Sequence, residues 1–228
     1  SGSATRQQVE LYFKKPQTTV LGDKLTYTYH YVGTDKKKHP VVRDLTVVMN
    51  EDGVVREIAW AEDRTVVCEA LAWKKAEAIA INRTKLWQLE NWFGLSKSTN
   101  FASDQIQIQW DYAGNDSGVQ AEQSLDVGLD RNECVQSVRY HSKQPGTAIP
   151  IDGDKVLKIE KGNTSQQKIL SWFKEPQEID IDDETLTYVY IFDGVIKKGT
   201  KEAHVEQNLR VTFKDGKVID RQWRESSR

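Results

Sequence analysis

The chain has few of the residues that cross-linked or metal-bound proteins depend on. Its 228 residues include two cysteines, Cys68 and Cys134. Two are too few for a disulfide scaffold or a cysteine-based zinc site. They could form one bridge in an oxidising compartment or serve as two small buried hydrophobes, and the sequence leaves both readings open. The histidines, His30, His39, His141 and His204, are scattered, with no pair at metal-ligand spacing. The acidic run Asp180, Asp182, Asp183, Glu184 lacks the glycine and distal glutamate of a calcium loop and reads as solvated. No apolar run approaches a membrane-spanning helix. Net charge is −2, so there is no basic excess to argue for nucleic acid or an acidic membrane surface. Nucleophile elbow, phosphate loop, zinc helix and dinucleotide fingerprint are all missing. The expectation is a protein that is not an enzyme and carries no metal or cofactor.

What is abundant is aromatic, with 7 tryptophans and 8 tyrosines, and their spacing repeats. The stretches QQVELYFKKPQ (7–17), WQLENWFGLSK (87–97) and QKILSWFKEPQ (167–177) place Phe13, Phe93 and Phe173 at a constant interval. Val9/Tyr12/Phe13, Leu89/Trp92/Phe93 and Ile169/Trp172/Phe173 follow i, i+3, i+4, which puts each trio on one helical face. On that spacing Tyr12, Trp92 and Trp172 are expected in the core. Thr5, Thr84 and either Asn163 or Thr164 are the expected N-caps. Pro16, Gly94 and Pro176 are the expected stops.

Strand patterns follow each helix. LTYTYHYV (25–32), IQIQWDYA (106–113) and LTYVYIF (186–192) align as Tyr27/Trp110/Tyr188 and Tyr29/Tyr112/Tyr190. Alternation places paired aromatics on one face. Leu45/Val47/Met49, Leu125/Val127/Leu129 and Leu209/Val211/Phe213 alternate in the next strand, and turn signals lead into a last strand ending at Trp60, Tyr140 or Trp223. A further apolar segment precedes the second and third helices, with Ile79 and Ile159 at the same distance before their phenylalanines. Its counterpart in the first copy would lie before Ser1, so we expect natural residues upstream, a signal or an anchor. The fold expected is α+β: three tandem repeats, each a helix pair packed on an antiparallel sheet of about three to four strands. Their expected bounds are 1–63 with a truncated N-terminal segment, 64–142 in degenerate form, and 143–228.

These motifs resemble the SmpA/OmlA/BamE outer-membrane lipoprotein domain and the related repeat fold of the beta-lactamase inhibitory proteins. The residues that carry the likeness are Gly2, Thr5, Val9, Pro16, Tyr27, Tyr29, Leu45, Val47, Gly53 and Val54 in the first copy. In the third they are Gly162, Ser165, Ile169, Pro176, Tyr188, Tyr190, Leu209, Val211, Phe213 and Gly216. The second copy lacks the opening glycine and the proline. The resemblance implies that the final strand, with Arg221 and Trp223, faces a protein target.

Exposed Trp, Tyr and Arg on a sheet are what a binding face needs. The candidate face is therefore Tyr27, Tyr29, Trp60, Trp110, Tyr112, Tyr140, Tyr188, Tyr190, Arg221 and Trp223, with at least half of such aromatics expected to face the helices instead. The functional expectation is a protein-binding module of the bacterial cell envelope, in the periplasm or anchored at the outer membrane through a lipidated cysteine upstream of Ser1. Its partner would be another protein, not nucleic acid. An enzyme inhibitor and an outer-membrane assembly lipoprotein are the competing expectations.

Overall fold

The computed structural model describes residues 4–21, 24–66, 70–102, 105–116, 119–143, 149–198 and 201–227. Gly2 and Cys68, and with Cys68 the proposed bridge, lie outside them. Helix α1 (Arg6–Phe13) leads into β1 (Thr18–Leu21), β2 (Leu25–Thr34), β3 (Pro40–Met49) and β4 (Val55–Arg64). Helices α2 (Trp73–Glu77) and α3 (Leu86–Phe93) precede β5 (Ser98–Ala102), β6 (Gln105–Asp116), β7 (Val119–Leu129) and β8 (Val135–Lys143). Helices α4 (Gly153–Leu157) and α5 (Gln166–Phe173) precede β9 (Glu178–Ile181), β10 (Leu186–Lys198), β11 (Lys201–Lys214) and β12 (Lys217–Ser227).

The fold expectation needs correction. The strands do not close into three small sheets under helix pairs. They form a single twelve-stranded sheet in chain order, β1 to β12. The cause is two short strands, β5 and β9, in stretches for which the sequence patterns predict no strand. Antiparallel β5 pairs with β4 on one side, Trp60 opposite Phe101, and with β6 on the other, Thr99 opposite Ile108. Strand β9 likewise joins β8, Tyr140 opposite Ile179, to β10, Tyr188 opposite Ile179. A small sheet ending at β4 or β8 would leave a row of unpaired N–H and C=O groups, and the next short strand satisfies them.

The chain divides into two compact units: residues 1–68, 85–110 and 127–134 in the first, and residues 69–84, 111–126 and 135–228 in the second. In the first unit Val9 of α1 is buried with Tyr27, Val47, Met49 and Val55, and Leu89 and Phe93 of α3 are buried near Trp110. In the second, Ile169, Ile179, Tyr188, Leu209, Val211 and Phe213 are fully buried. Eight-residue helices such as α1, α3 and α5 are too short to persist alone, so burial of this one face holds them.

The buried face is narrower than the spacing implies. Val9, Leu89 and Ile169 are buried, but Tyr12 is 78% exposed, and Trp92 and Trp172 are only half-buried, edge-on to Phe93 and Phe173. In α1 and α5 one anchor is buried, and in α3 Phe93 is buried as well as Leu89. The other aromatics cover the sheet's margin.

Each long helix is tied by its N-terminus to the turn before a strand. Arg6, Leu86 and Gln166 donate backbone N–H bonds to Gly53, Glu133 and Gly216 O at 2.8, 3.2 and 3.0 Å. Val55, Val135 and Val218 return bonds to Ala4, Thr84 and Thr164 O at 2.9, 3.0 and 3.0 Å. Thr5 caps α1 as expected, with Gln8 reaching back to its N–H at 2.8 Å. The other caps are not the expected Thr84 and Asn163 or Thr164 but Lys85 and Ser165. Thr84 and Thr164 close the preceding turn instead, each hydroxyl accepting from Ala80 or Glu160 N–H at 2.9 Å.

The helices stop at Phe13, Phe93 and Phe173, before either proline acts. The next residue takes φ 63° at Lys14, 76° at Gly94 and 66° at Lys174, with strongly negative ψ. Side-chain-bearing residues pay about 1–3 kcal/mol for that region and glycine does not. Lys174→Gly should therefore raise unfolding stability by about 1 kcal/mol, and Gly94→Ala should lower it by about 1–3 kcal/mol. A Cβ at Gly94 would meet nothing within 4 Å, so the cost is conformational. Urea midpoints of the two variants check both signs.

Candidate protein-binding groove

The aromatic strands align differently from the sequence pairing. Phe13 packs on Tyr29 at 5.6 Å, Phe93 on Trp110 at 6.0 Å and Phe173 on Tyr190 at 5.5 Å between ring centroids. Gln17, Lys97 and Gln177 N–H bond to Thr28, Gln109 and Val189 O, which fixes the same register. Tyr31, Tyr112 and Phe192 each lie over a glycine two residues on, Gly33, Gly114 and Gly194. The equivalent sets are Tyr27/Ile108/Tyr188, Tyr29/Trp110/Tyr190 and Tyr31/Tyr112/Phe192.

Half of the nominated binding residues are core. Tyr27, Trp110, Tyr140, Tyr188 and Tyr190 are buried, and their polar tips are engaged. Trp110 Nε1 donates to Gly94 O at 3.0 Å. Tyr27 donates to Glu10 at 2.6 Å, and hydrogen bonds from Tyr27 and Arg6 lower the Glu10 carboxyl. Tyr188 donates to Glu77 and accepts from Gln166 at 2.6 Å. Tyr140 donates to Leu71 O at 3.2 Å, and Tyr190 to Lys174 O at 3.3 Å. Burial pushes the Tyr140 phenol up to about 12 and raises Tyr188 and Tyr190 as well. Such side chains cannot reach a partner without unfolding their own unit. Tyr29, Tyr112, Trp60, Arg221 and Trp223 remain partly exposed.

The closing aromatics face the helices. Trp60 pairs with Leu45 and Trp223 with Leu209, on the same side as the buried residues. Arg221 is engaged within the chain: its Nη1 donates to Val156 O at 2.5 Å and Ile159 O at 3.2 Å, satisfying carbonyls at the end of α4.

Helices α2 and α4 show what this side of the closing strands holds. In the second unit, Leu71 N–H bonds to Gln123 Oε1 at 2.6 Å, and Tyr140 holds Leu71 O. Ile151 is held by both its main-chain groups: N–H to Gln207 Oε1 at 2.7 Å, and O from Gln207 Nε2 at 3.2 Å. Behind these clamps Ala76 and Ile79, and Val156 and Ile159, are buried, and α2 packs on β8 and β9. A glutamine side chain carries one donor and one acceptor, which matches a peptide group.

In the first unit the same positions are occupied differently. Arg43 stands two residues before Leu45, as Gln123 stands before Leu125 and Gln207 before Leu209. Ile58, opposite Val47 as Arg221 is opposite Val211, is 36% exposed, whereas Val138 under α2 is 3% exposed. A cavity of about 350 Å³ opens here, lined by Phe13, Tyr29, Tyr31, Arg43, Leu45 and Trp60. At one end Arg43 lies over the Tyr31 ring at 5.6 Å and pairs with Glu62, which is 3% exposed and also pairs with Arg64. The groove offers aromatic walls around Leu45, with Lys15, Gln17, His30 and Arg43 as its polar lining. It can bind an apolar segment with an acceptor at one end.

Sequence reasoning did not nominate Phe13, Tyr31, Arg43 and Leu45, which line the groove. The available signal was the glutamine two residues before the Leu-x-Val strand in copies two and three, replaced by arginine in the first. Comparison with protein-family models, with curated proteins and with solved structures finds no match to this chain, so the groove itself is what bears on function.

Proposed function

We propose that this chain is a protein-binding module and that its contact surface is the open groove of the first unit. One observation carries the reading: Phe13, Tyr29, Tyr31 and Trp60 stand partly exposed together around Leu45. The groove has the composition of a hot spot, two tyrosines, a tryptophan and an arginine around Leu45 and Phe13. The binding face is thereby moved from the nine aromatics and Arg221 to a smaller set in which only Tyr29 and Trp60 are retained. A setting in the bacterial cell envelope is part of the proposal and is supported by the family resemblance alone.

Site-specific photo-cross-linking in the producing cell tests it. A photoreactive residue at position 58 should yield one defined adduct, and the same residue at Ile219, exposed on the second unit, should yield none. Trp60→Ala should weaken the 58 adduct, since losing a hot-spot aromatic costs about 2 kcal/mol or more, about thirtyfold in affinity. Equal labelling from positions 58 and 219 would remove the groove as the contact surface.

A further inference from the structure

We propose that the second unit holds a small-molecule site between the lead-in to α4 and the end of α5, and that its ligand is a compact apolar carboxylic acid, aromatic or branched. The site shares no residue with the groove of the first unit and does not rest on it. A cavity of about 410 Å³ opens here, within the size of small-molecule pockets, about 300–1,000 Å³. Trp172, Phe173 and Tyr190 line it together with Ile149, Pro150 and Ile151. The three rings touch in series, with centroids 6.2 Å apart from Trp172 to Phe173 and 5.5 Å from Phe173 to Tyr190. The segment before α4 is fixed as well, because Gln207 holds both main-chain groups of Ile151, at 2.7 and 3.2 Å. Both walls are therefore in place before a ligand enters, which lowers the entropy cost of binding.

The charge comes from Lys174. Among the charged side chains lining the cavity, Asp152 caps α4 and pairs with Lys155 at 3.6 Å, and Glu175 also has a partner. Lys174 donates its main-chain N–H to Leu170 O at 2.9 Å, and its carbonyl accepts from Tyr190, but its ammonium has no partner among the described residues. Its backbone supplies the second observation. Lys174 is held at φ 66° and ψ −141°, close to the conformation that Gly94 takes after α3. Glycine reaches that region freely and lysine is strained there, and strain of this kind gathers at binding sites. The lysine places an unpaired cation beside an apolar cavity. A carboxylate matches it with a charge-assisted hydrogen bond, and the aromatic and aliphatic walls take the rest of the molecule.

The test uses the full chain, with hydrocinnamate and its uncharged amide, hydrocinnamamide, as probes for titration calorimetry and NMR. The acid should bind about tenfold tighter than the amide, the effect of one charge-assisted contact, and its ring should give intermolecular Overhauser effects to the Trp172 indole. Lys174→Gly should bring the acid down to the affinity of the amide while raising the urea midpoint, so that weaker binding there is not a folding defect. Lys174→Arg should keep the preference. Lys14→Gly, at the equivalent strained position in the first unit, should raise the midpoint and leave both affinities unchanged. Equal affinity for acid and amide, a preference that survives Lys174→Gly, Overhauser effects to the first-unit groove instead of Trp172, or no binding of either probe at millimolar concentration overturns the proposal. So does a lower midpoint for Lys174→Gly, which would assign the lysine to the helix terminus rather than to a ligand.

Discussion

Trp110→Ala should destabilise the first unit by about 3–5 kcal/mol, the range for removing a large buried aromatic. Trp110 is fully buried against Phe93, and its indole N–H satisfies Gly94 O, the carbonyl just past the end of α3. Alanine removes both, leaving a cavity under the helix and a stranded carbonyl. Trp110→Phe keeps most of the packing and should cost about 1–2 kcal/mol for the lost hydrogen bond and remaining void. The equivalent substitution at Tyr29 should cost much less, because Tyr29 is only half-buried beside a half-exposed Phe13. Urea unfolding of the three variants orders them. A Trp110→Ala midpoint equal to that of Tyr29→Ala would show that the two positions are not packed as the ring distances imply. Partner affinity at the groove is expected to follow the opposite order, with Tyr29→Ala weakening binding and Trp110→Phe leaving it unchanged.

The two-residue error in pairing Trp110 with Tyr27 and Tyr188 has a physical origin. Strand alternation has a period of two, so a slip by two residues leaves every side chain on its proper face and the pattern undisturbed. Matching aromatic with aromatic then favoured the wrong register. What breaks the tie is Phe93 touching Trp110 and the glycines under Tyr31, Tyr112 and Phe192, and neither is a periodicity. The long strands and the helix anchors Val9, Leu89 and Ile169 were legible because each carries several alternating or i, i+3, i+4 residues. Ile79 and Ile159 were legible as a recurrent segment and are both buried.

The single sheet was not legible, because β1, β5 and β9 are four or five residues long and pair through backbone groups that leave no side-chain signature. Sequence alternation does not distinguish a strand at an edge from one with two neighbours. The groove was hidden for a related reason. Tyr31 and Arg43 are ordinary strand residues to the alternation rule, which reports which face a side chain takes and not what lies over it.

At alkaline pH the second unit should lose stability steeply above about pH 10, ahead of any general charge effect, because three of its buried phenols are held protonated. Tyr140, Tyr188 and Tyr190 lie among apolar neighbours, and burial is the largest cause raising each one. Glu77 beside Tyr188 adds to the rise, since an anion next to the phenol opposes a second negative charge. In the unfolded chain each phenol titrates near about 10. Between that value and the folded one, the unfolded state gives up its proton while the folded state keeps it, so fewer protons are bound on unfolding and stability falls as pH rises. Below about pH 10 both states are protonated and the contribution is fully present. For Tyr140, raised to about 12, the loss is about 1.4 kcal/mol per pH unit, or roughly 2–3 kcal/mol by pH 12, and the other two act in the same direction. Phenolate absorbance should therefore show a delayed fraction that appears together with loss of far-ultraviolet circular dichroism, and Tyr140→Phe should move that transition to higher pH. Simultaneous titration of all the tyrosines with the fold intact would contradict the burial of these three rings.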